Sequence, residues 1–129
     1  MILLDTHVLV WMASEPKQLS RQARQAIREA RQTTGVAVAT ITLWELAWLA
    51  ENGRIQISVS VESFVRQTIA RVILKPITPE IAALAVRLPA AFFKDPADRL
   101  ITSTAMTEGT PLVTADARIR QSKLVQTIW

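Results

Sequence analysis

Two stretches decide how this chain folds: MILLD at residues 1–5 and PLVTAD at residues 111–116. Each is a short apolar run that ends on an aspartate. Apolar runs of this length without polar alternation fit strands buried on both faces, as in a parallel sheet. Val36–Ala39 (VAVA) is a third run of the kind. Ile73–Ile77 is a further strand candidate, and Leu124–Trp129 is a candidate last edge strand.

Helix signals lie between these runs. A short helix follows Asp5 through Trp11, and Ser14 to Ser20 is a proline-containing loop. Ser20 can cap a helix from Arg21 to about Thr33, which Gly35 stops. Thr42 can cap a helix from Leu43 to Glu51, ended by Asn52–Gly53, and Ser60 a helix to about Val72. Thr78–Pro79 and Asp95–Pro96 carry the cap-then-proline signature, the second opening a helix that runs to Gly109. Ile55 and Ile57 alternate with polar residues over too short a segment to assign. Strands alternating with helices predict an α/β fold, a mainly parallel sheet sandwiched by helices, with residues 1–129 as one domain.

Composition narrows the function classes. The chain of 129 residues carries fifteen Lys plus Arg against eleven Asp plus Glu, a net charge of 15 − 11 = +4. The isoelectric point is about 10.3, so attraction to polyanions is the default expectation. Half of the residues are hydrophobic, which excludes intrinsic disorder. The absence of cysteine excludes disulfides, thiolate metal sites and cysteine nucleophiles, and predicts a reducing, cytoplasmic setting. The longest apolar stretch, Ile41 to Ala50, is interrupted by Thr42 and Glu45 and is too short for a membrane span. A mean hydropathy of +0.22 is high for a monomer and predicts apolar surface covered by a partner chain.

The acids carry the functional signal. Only four are aspartates, Asp5, Asp95, Asp98 and Asp116. In an open parallel sheet, ligands bind beyond the carboxyl ends of the strands, and Asp5 and Asp116 both belong at that edge. Each could also simply start a loop. Glu45 sits in ITLWELAWLA, apolar on nearly every helical face, with Arg54 the one basic residue within ten positions. A partly buried carboxylate there needs a distant ion pair or a metal. Asp95 and Asp98, in DPAD, are a natural N-cap and a natural third-position acid favoured by the helix dipole.

If these acids share one pocket they must bind protons or cations. An all-oxygen set without cysteine or a histidine group suits Mg²⁺ or Mn²⁺ rather than zinc. Such ions bind phosphate oxygens, and the chemistry implied is in-line hydrolysis of a phosphodiester by metal-activated water.

The segments LLDTHVLVW, TLWELA, KDPADRLITSTA, PLVTAD and the terminal TIW, in this order along the whole chain, resemble PIN-domain ribonucleases, most nearly the VapC-like toxins of toxin–antitoxin pairs. The resemblance implies a three-layer α/β/α fold and Mg²⁺- or Mn²⁺-dependent endoribonuclease activity. It also implies a cognate antitoxin and a homodimer. By position, Asp5, Glu45, Asp98 and Asp116 match the family's four acids, with metal binding most secure at Asp5 and Asp98. Thr6 and Thr114 match hydroxyls that orient the carboxylates or a water, and Asp95 matches a frequent neighbour, read as a cap first. The chain departs from the pattern at Ala97, Leu49 and Ala115, where family members often carry an aromatic residue and two basic ones.

Other candidates have simpler readings. His7, the one histidine, lies two residues from Asp5, which invites a general-base role, but it reads first as a structural part of the turn after the first strand. Arg21, Arg24, Arg28 and Arg31 form one helical stripe that could hold phosphates or merely face solvent. Arg99 and Lys94, beside the acids, are the bases expected to touch RNA. Trp11, Trp44 and Trp48 could stack bases, although Trp44 and Trp48, one turn apart, point rather to an interface. Two rival readings are a catalytically silent PIN module and a receiver-like Mg²⁺-binding signalling domain. The second would want an acidic pair near the first strand and a mid-chain phospho-acceptor aspartate, where this chain has Glu45 on a helix.

Overall fold

The computed structural model describes residues 1–129. Five strands, β1 (Ile2–Leu4), β2 (Val36–Ala39), β3 (Ile73–Lys75), β4 (Leu112–Val113) and β5 (Thr127–Ile128), form one sheet in the order β3-β2-β1-β4-β5. All four neighbouring pairs are parallel, with Leu3 opposite both Ala37 and Leu112. Seven helices connect them: α1 (Thr6–Ser14), α2 (Arg21–Gln32), α3 (Ile41–Glu51), α4 (Val61–Thr68), α5 (Pro79–Arg87), α6 (Pro96–Glu108) and α7 (Ala117–Ser122).

The period of two along each strand divides the core. Ile2, Leu4, Val36, Val38 and Val113 pack with Val8 and Leu9 of α1, Ala23 and Ile27 of α2, and Leu46 of α3. On the opposite face Leu3, Ala37, Ala39 and Leu112 pack with Leu88, Phe93, Ile101 and Ala105 and with Ile119 of α7. Both faces are covered over β1, β2 and β4, which is why these strands lack polar alternation. Phe93 is the largest fully buried side chain. Its truncation to alanine costs roughly 3–5 kcal/mol.

Local signals place the turns. The hydroxyls of Ser20, Ser60 and Thr78 accept from Ala23, Ser63 and Ile81 N–H as N-caps. Gly35, at φ +99, ends the passage from α2 to β2, where a Cβ would lie 2.8 Å from Ile73 Cδ1. Several boundaries depart from the sequence reading, and β4 and β5 are each shorter than the apolar run that holds them. Helix α1 continues past Trp11 to Ser14 and is followed by a 3-10 turn, Pro16–Gln18. Helix α3 begins at Ile41, so Thr42 lies inside its first turn instead of capping it. Helix α4 ends at Thr68 rather than about Val72, and β3 at Lys75 rather than Ile77. Helix α7 was not anticipated: the aspartate that ends the β4 run is also its N-cap.

Candidate active site

The chain fills one side of β1 with β2 and β3 and the other with β4 and β5. A crevice opens at such a switch, beyond the carboxyl ends of the two central strands. Asp5 directly follows β1, and Asp116 follows Thr114–Ala115 beyond β4. There a cavity of about 310 Å³ is lined by Asp5, Glu45, Asp95, Asp98 and Asp116, with His7, Val8, Trp11 and Ala115. Every aspartate of the chain is among them.

Asp5 is buried, 8% exposed. As N-cap of α1 its Oδ1 accepts from Thr6 N–H at 2.8 Å, and its Oδ2 accepts from the Thr114 hydroxyl at 2.7 Å. The Thr114 oxygen in turn accepts from Asp116 N–H at 3.0 Å, so one hydroxyl links two acids. Burial pushes the Asp5 carboxyl above its ordinary value, against the hydrogen bonds from Thr114 and Thr6. Asp116 is itself a cap, its Oδ1 accepting from Arg118 and Ile119 N–H at 2.8 and 3.2 Å.

Glu45 reaches the cavity from α3, half-buried. Its Oε1 accepts from the Thr6 hydroxyl at 2.5 Å, and the Thr6 oxygen lies 3.0 Å from the Thr42 hydroxyl. A hydroxyl has one proton. Since Thr6 gives its own to Glu45, Thr42 donates to Thr6. Burial raises the Glu45 carboxyl, and the charges of Asp5 and Asp95 add to it. Thr42 is the neighbour of the site that the sequence reading misassigned as a helix cap.

Asp95 caps α6, with Oδ1 accepting from Ala97 N–H at 2.8 Å. Asp98 stands at the third helical position but does not close the cap. Its carboxyl is pushed up to about 7, first by burial and then by the charges of Asp5, Asp95, Asp116 and Glu45. The two ion pairs of the chain, Arg66–Glu62 and Lys75–Glu108, lie elsewhere, so no Lys or Arg compensates this cluster. Uncompensated oxygen donors of this kind suit a hard divalent cation. No three of them stand together as a metal-holding group in this arrangement, so the crevice gathers donors without a preformed ligand set.

The PIN-domain sequence profile matches residues 2–123. This chain belongs to the PIN-domain family. Ribonuclease VapC22 of Mycobacterium tuberculosis is 47% identical over 130 residues, spanning 99% of this chain and 98% of that protein. The fold also matches VapBC2 from Rickettsia felis bound to a DNA fragment from its promoter, with a TM-score of 0.74 at 16% identity, covering 98% and 97% of the two chains. DNA-bound VapBC from Salmonella typhimurium gives 0.72 at 20% identity with the same coverage.

Two expected RNA contacts are not at the acids in this PIN domain. Arg99 Nη1 donates to the carbonyls of Ala85 and Leu88 at 3.0 and 2.8 Å, closing the end of α5. Lys94 is exposed and does not line the cavity. The stripe Arg21, Arg24, Arg28 and Arg31 is exposed along α2, where its last three members border a separate cavity of about 290 Å³. That cavity shares no lining residue with the carboxylate crevice. Trp44 and Trp48 of α3 are 61% and 44% exposed, outside the core.

Proposed function

We propose that this PIN domain, residues 1–129, is an Mg²⁺- or Mn²⁺-dependent endoribonuclease, the toxin of a toxin–antitoxin pair. The observation that carries the reading is the crevice of five carboxylates without a cationic partner at the β1–β4 switch. The similarity to ribonuclease VapC22 supports the substrate class.

Asp5 and Asp98 are the first candidates to hold the cation, with Asp116 and Glu45 completing the catalytic set. A cation held there would supply charge stabilisation at the phosphate and activation of water for in-line hydrolysis. Thr114 orients Asp5, Thr6 orients Glu45, and Asp95 fixes the start of α6 so that Asp98 stays at the crevice. Arg99 acts at a distance, holding α5 against α6. His7, exposed at the rim, belongs to the mouth of the site.

The resemblance to toxins of antitoxin pairs, together with the toxin–antitoxin complexes among the structural neighbours, supports a cognate antitoxin as partner. Exposed Trp44 and Trp48 offer apolar surface for a homodimer. No helix is long and apolar enough to cross a membrane. A cytoplasmic setting fits the RNA substrate of this reading. The test is incubation of single-stranded RNA with protein and Mg²⁺ or Mn²⁺, with and without EDTA, followed by mapping of the cuts. Internal cuts that EDTA abolishes are expected; intact RNA under all metals contradicts the reading. No observation favours the silent-module or receiver-like alternatives.

A further inference from the structure

The crevice does not end at the acids. A second cavity of about 540 Å³ adjoins it, sharing His7 and Trp11, and extends between α1 and the turn after α3. Its volume is in the range of about 300–1,000 Å³ usual for small-ligand sites. The remaining walls are mixed: apolar Leu49 and Ile55, cationic Arg54, the Gln56 amide and the Glu15 carboxylate. The His7 and Trp11 rings lie 6.0 Å apart, and Trp129, outside the cavity, packs on Trp11 at 5.9 Å and braces it. Arg54 and Glu15 are exposed and neither forms an ion pair; Glu15 Oε2 accepts from the Gln18 amide at 3.5 Å, which leaves Oε1 without a protein partner. The Arg54 N–H donates to the Leu49 carbonyl at 2.9 Å, which fixes the turn that carries it.

We propose that this second cavity is the subsite for the nucleotide next to the scissile phosphate, and that it prefers guanine. The proposal rests on the ribonuclease reading above. Single-stranded RNA is bound by stacking on aromatic rings and by hydrogen bonds to base edges. Trp11 is the stacking platform, and Arg54 is the cation for the adjoining backbone phosphate. Glu15 and Gln56 read the base. An ionised carboxylate only accepts hydrogen bonds. Glu15 therefore selects a base that presents N–H donors, and guanine presents two side by side on its Watson–Crick edge.

Trp11 is packed on Trp129, so the test is carried by the exposed Arg54 and Glu15. Short labelled single-stranded RNAs that differ only in one central base are titrated by fluorescence anisotropy into Asp98→Asn protein, which separates recognition from cleavage. The parent is expected to bind the guanine oligomer most tightly. Adding Arg54→Gln weakens every oligomer about five- to tenfold and lowers the salt slope by about one phosphate contact. Adding Glu15→Gln removes the guanine preference and leaves the other three oligomers within about twofold.

Absence of RNA binding, equal affinity for all four bases, or unchanged affinity in Arg54→Gln overturns the proposal. So does an Arg54→Gln variant that loses affinity for the cognate antitoxin and not for RNA, which would make the cavity a protein-binding surface. If the oligomers behave as expected but wild-type protein does not cut them with Mg²⁺ or Mn²⁺, guanine binding at the second cavity stands and the nuclease reading fails.

Discussion

The Thr114 hydroxyl donates to Asp5 Oδ2 at 2.7 Å, tying the end of β4 to the acid at the end of β1. Asp5 is buried, and this bond works against the rise in its pKa. Thr114→Val removes the donor and leaves the carboxylate partly unsatisfied, at a cost of about 1–3 kcal/mol. The expected result is a lower melting temperature and a ten- to hundredfold lower kcat, on the order expected when a metal ligand loses its orienting partner. Thr114→Ser should restore most of both. Thermal melts and steady-state cleavage of a model RNA check this. Wild-type kinetics in Thr114→Val would show that Asp5 needs no orientation.

Glu45 depends in the same way on the relay from Thr42 through Thr6. Thr6→Val deletes the only protein donor to Glu45 and should lower kcat by about tenfold or more. Thr42→Val leaves the Thr6–Glu45 bond in place. It should cost about 0.5–1.5 kcal/mol of stability while kcat stays within about threefold. An equal kcat loss in both variants would contradict the order of the relay.

Arg99 separates stability from chemistry. Its guanidinium bonds two carbonyls at the end of α5 and does not line the crevice. Arg99→Ala is expected to lose roughly 1–3 kcal/mol in denaturant unfolding, as hydrogen bonds from a charged group do. Cleavage by the folded fraction should be unchanged. Loss of cleavage without loss of stability would return Arg99 to the RNA.

The raised carboxyls also set a pH dependence. Asp98 is pushed from 3.8 to about 7, and Asp5 and Glu45 are raised as well. The folded state therefore holds protons that the unfolded chain has already released. That stabilisation is complete below the ordinary carboxylate range and is lost as pH rises through about 7. In EDTA the melting temperature should fall from pH 5 to pH 8. Asp98→Asn should flatten the slope and raise the pH 8 value by a few degrees, on the order of 1 kcal/mol after screening by solvent. Mg²⁺ or Mn²⁺ should stabilise wild type more at pH 8 than at pH 5.5. A melting temperature that rises with pH in EDTA would show that the acids are compensated in some other way.

The acids were legible because their positions conflict with local preference or complete a local pattern. Asp5 and Asp116 end strands that both point to one edge, and Glu45 is a carboxylate in apolar surroundings. Asp95 reads as a cap, as it proves to be, but a cap signature alone does not say that Asp98 stays free to face the crevice. Thr42 was not legible. A threonine ahead of an apolar helix reads as its cap, and only the packing of α1 against α3, across 36 positions, turns its hydroxyl to Thr6. Arg99 misled through adjacency, since neighbours in a helix point about 100° apart. Arg99 thus faces α5 while Asp98 faces the acids. Helix α7 has six residues, too few for a periodic signal, and its cap was already read as a strand end. Trp44 and Trp48 share a face by periodicity, which cannot tell a buried face from one awaiting a partner.

On the proposed reading, this carboxylate crevice cleaves RNA through a bound divalent cation. Its most direct test is the initial rate of single-stranded RNA cleavage by wild type and by Asp98→Asn at matched Mn²⁺, with folding of both checked by thermal melts. A folded variant whose rate falls by at least a hundredfold is expected, with a wild-type rate that vanishes in EDTA and returns when Mn²⁺ is restored. Cleavage by Asp98→Asn at the wild-type rate would contradict it.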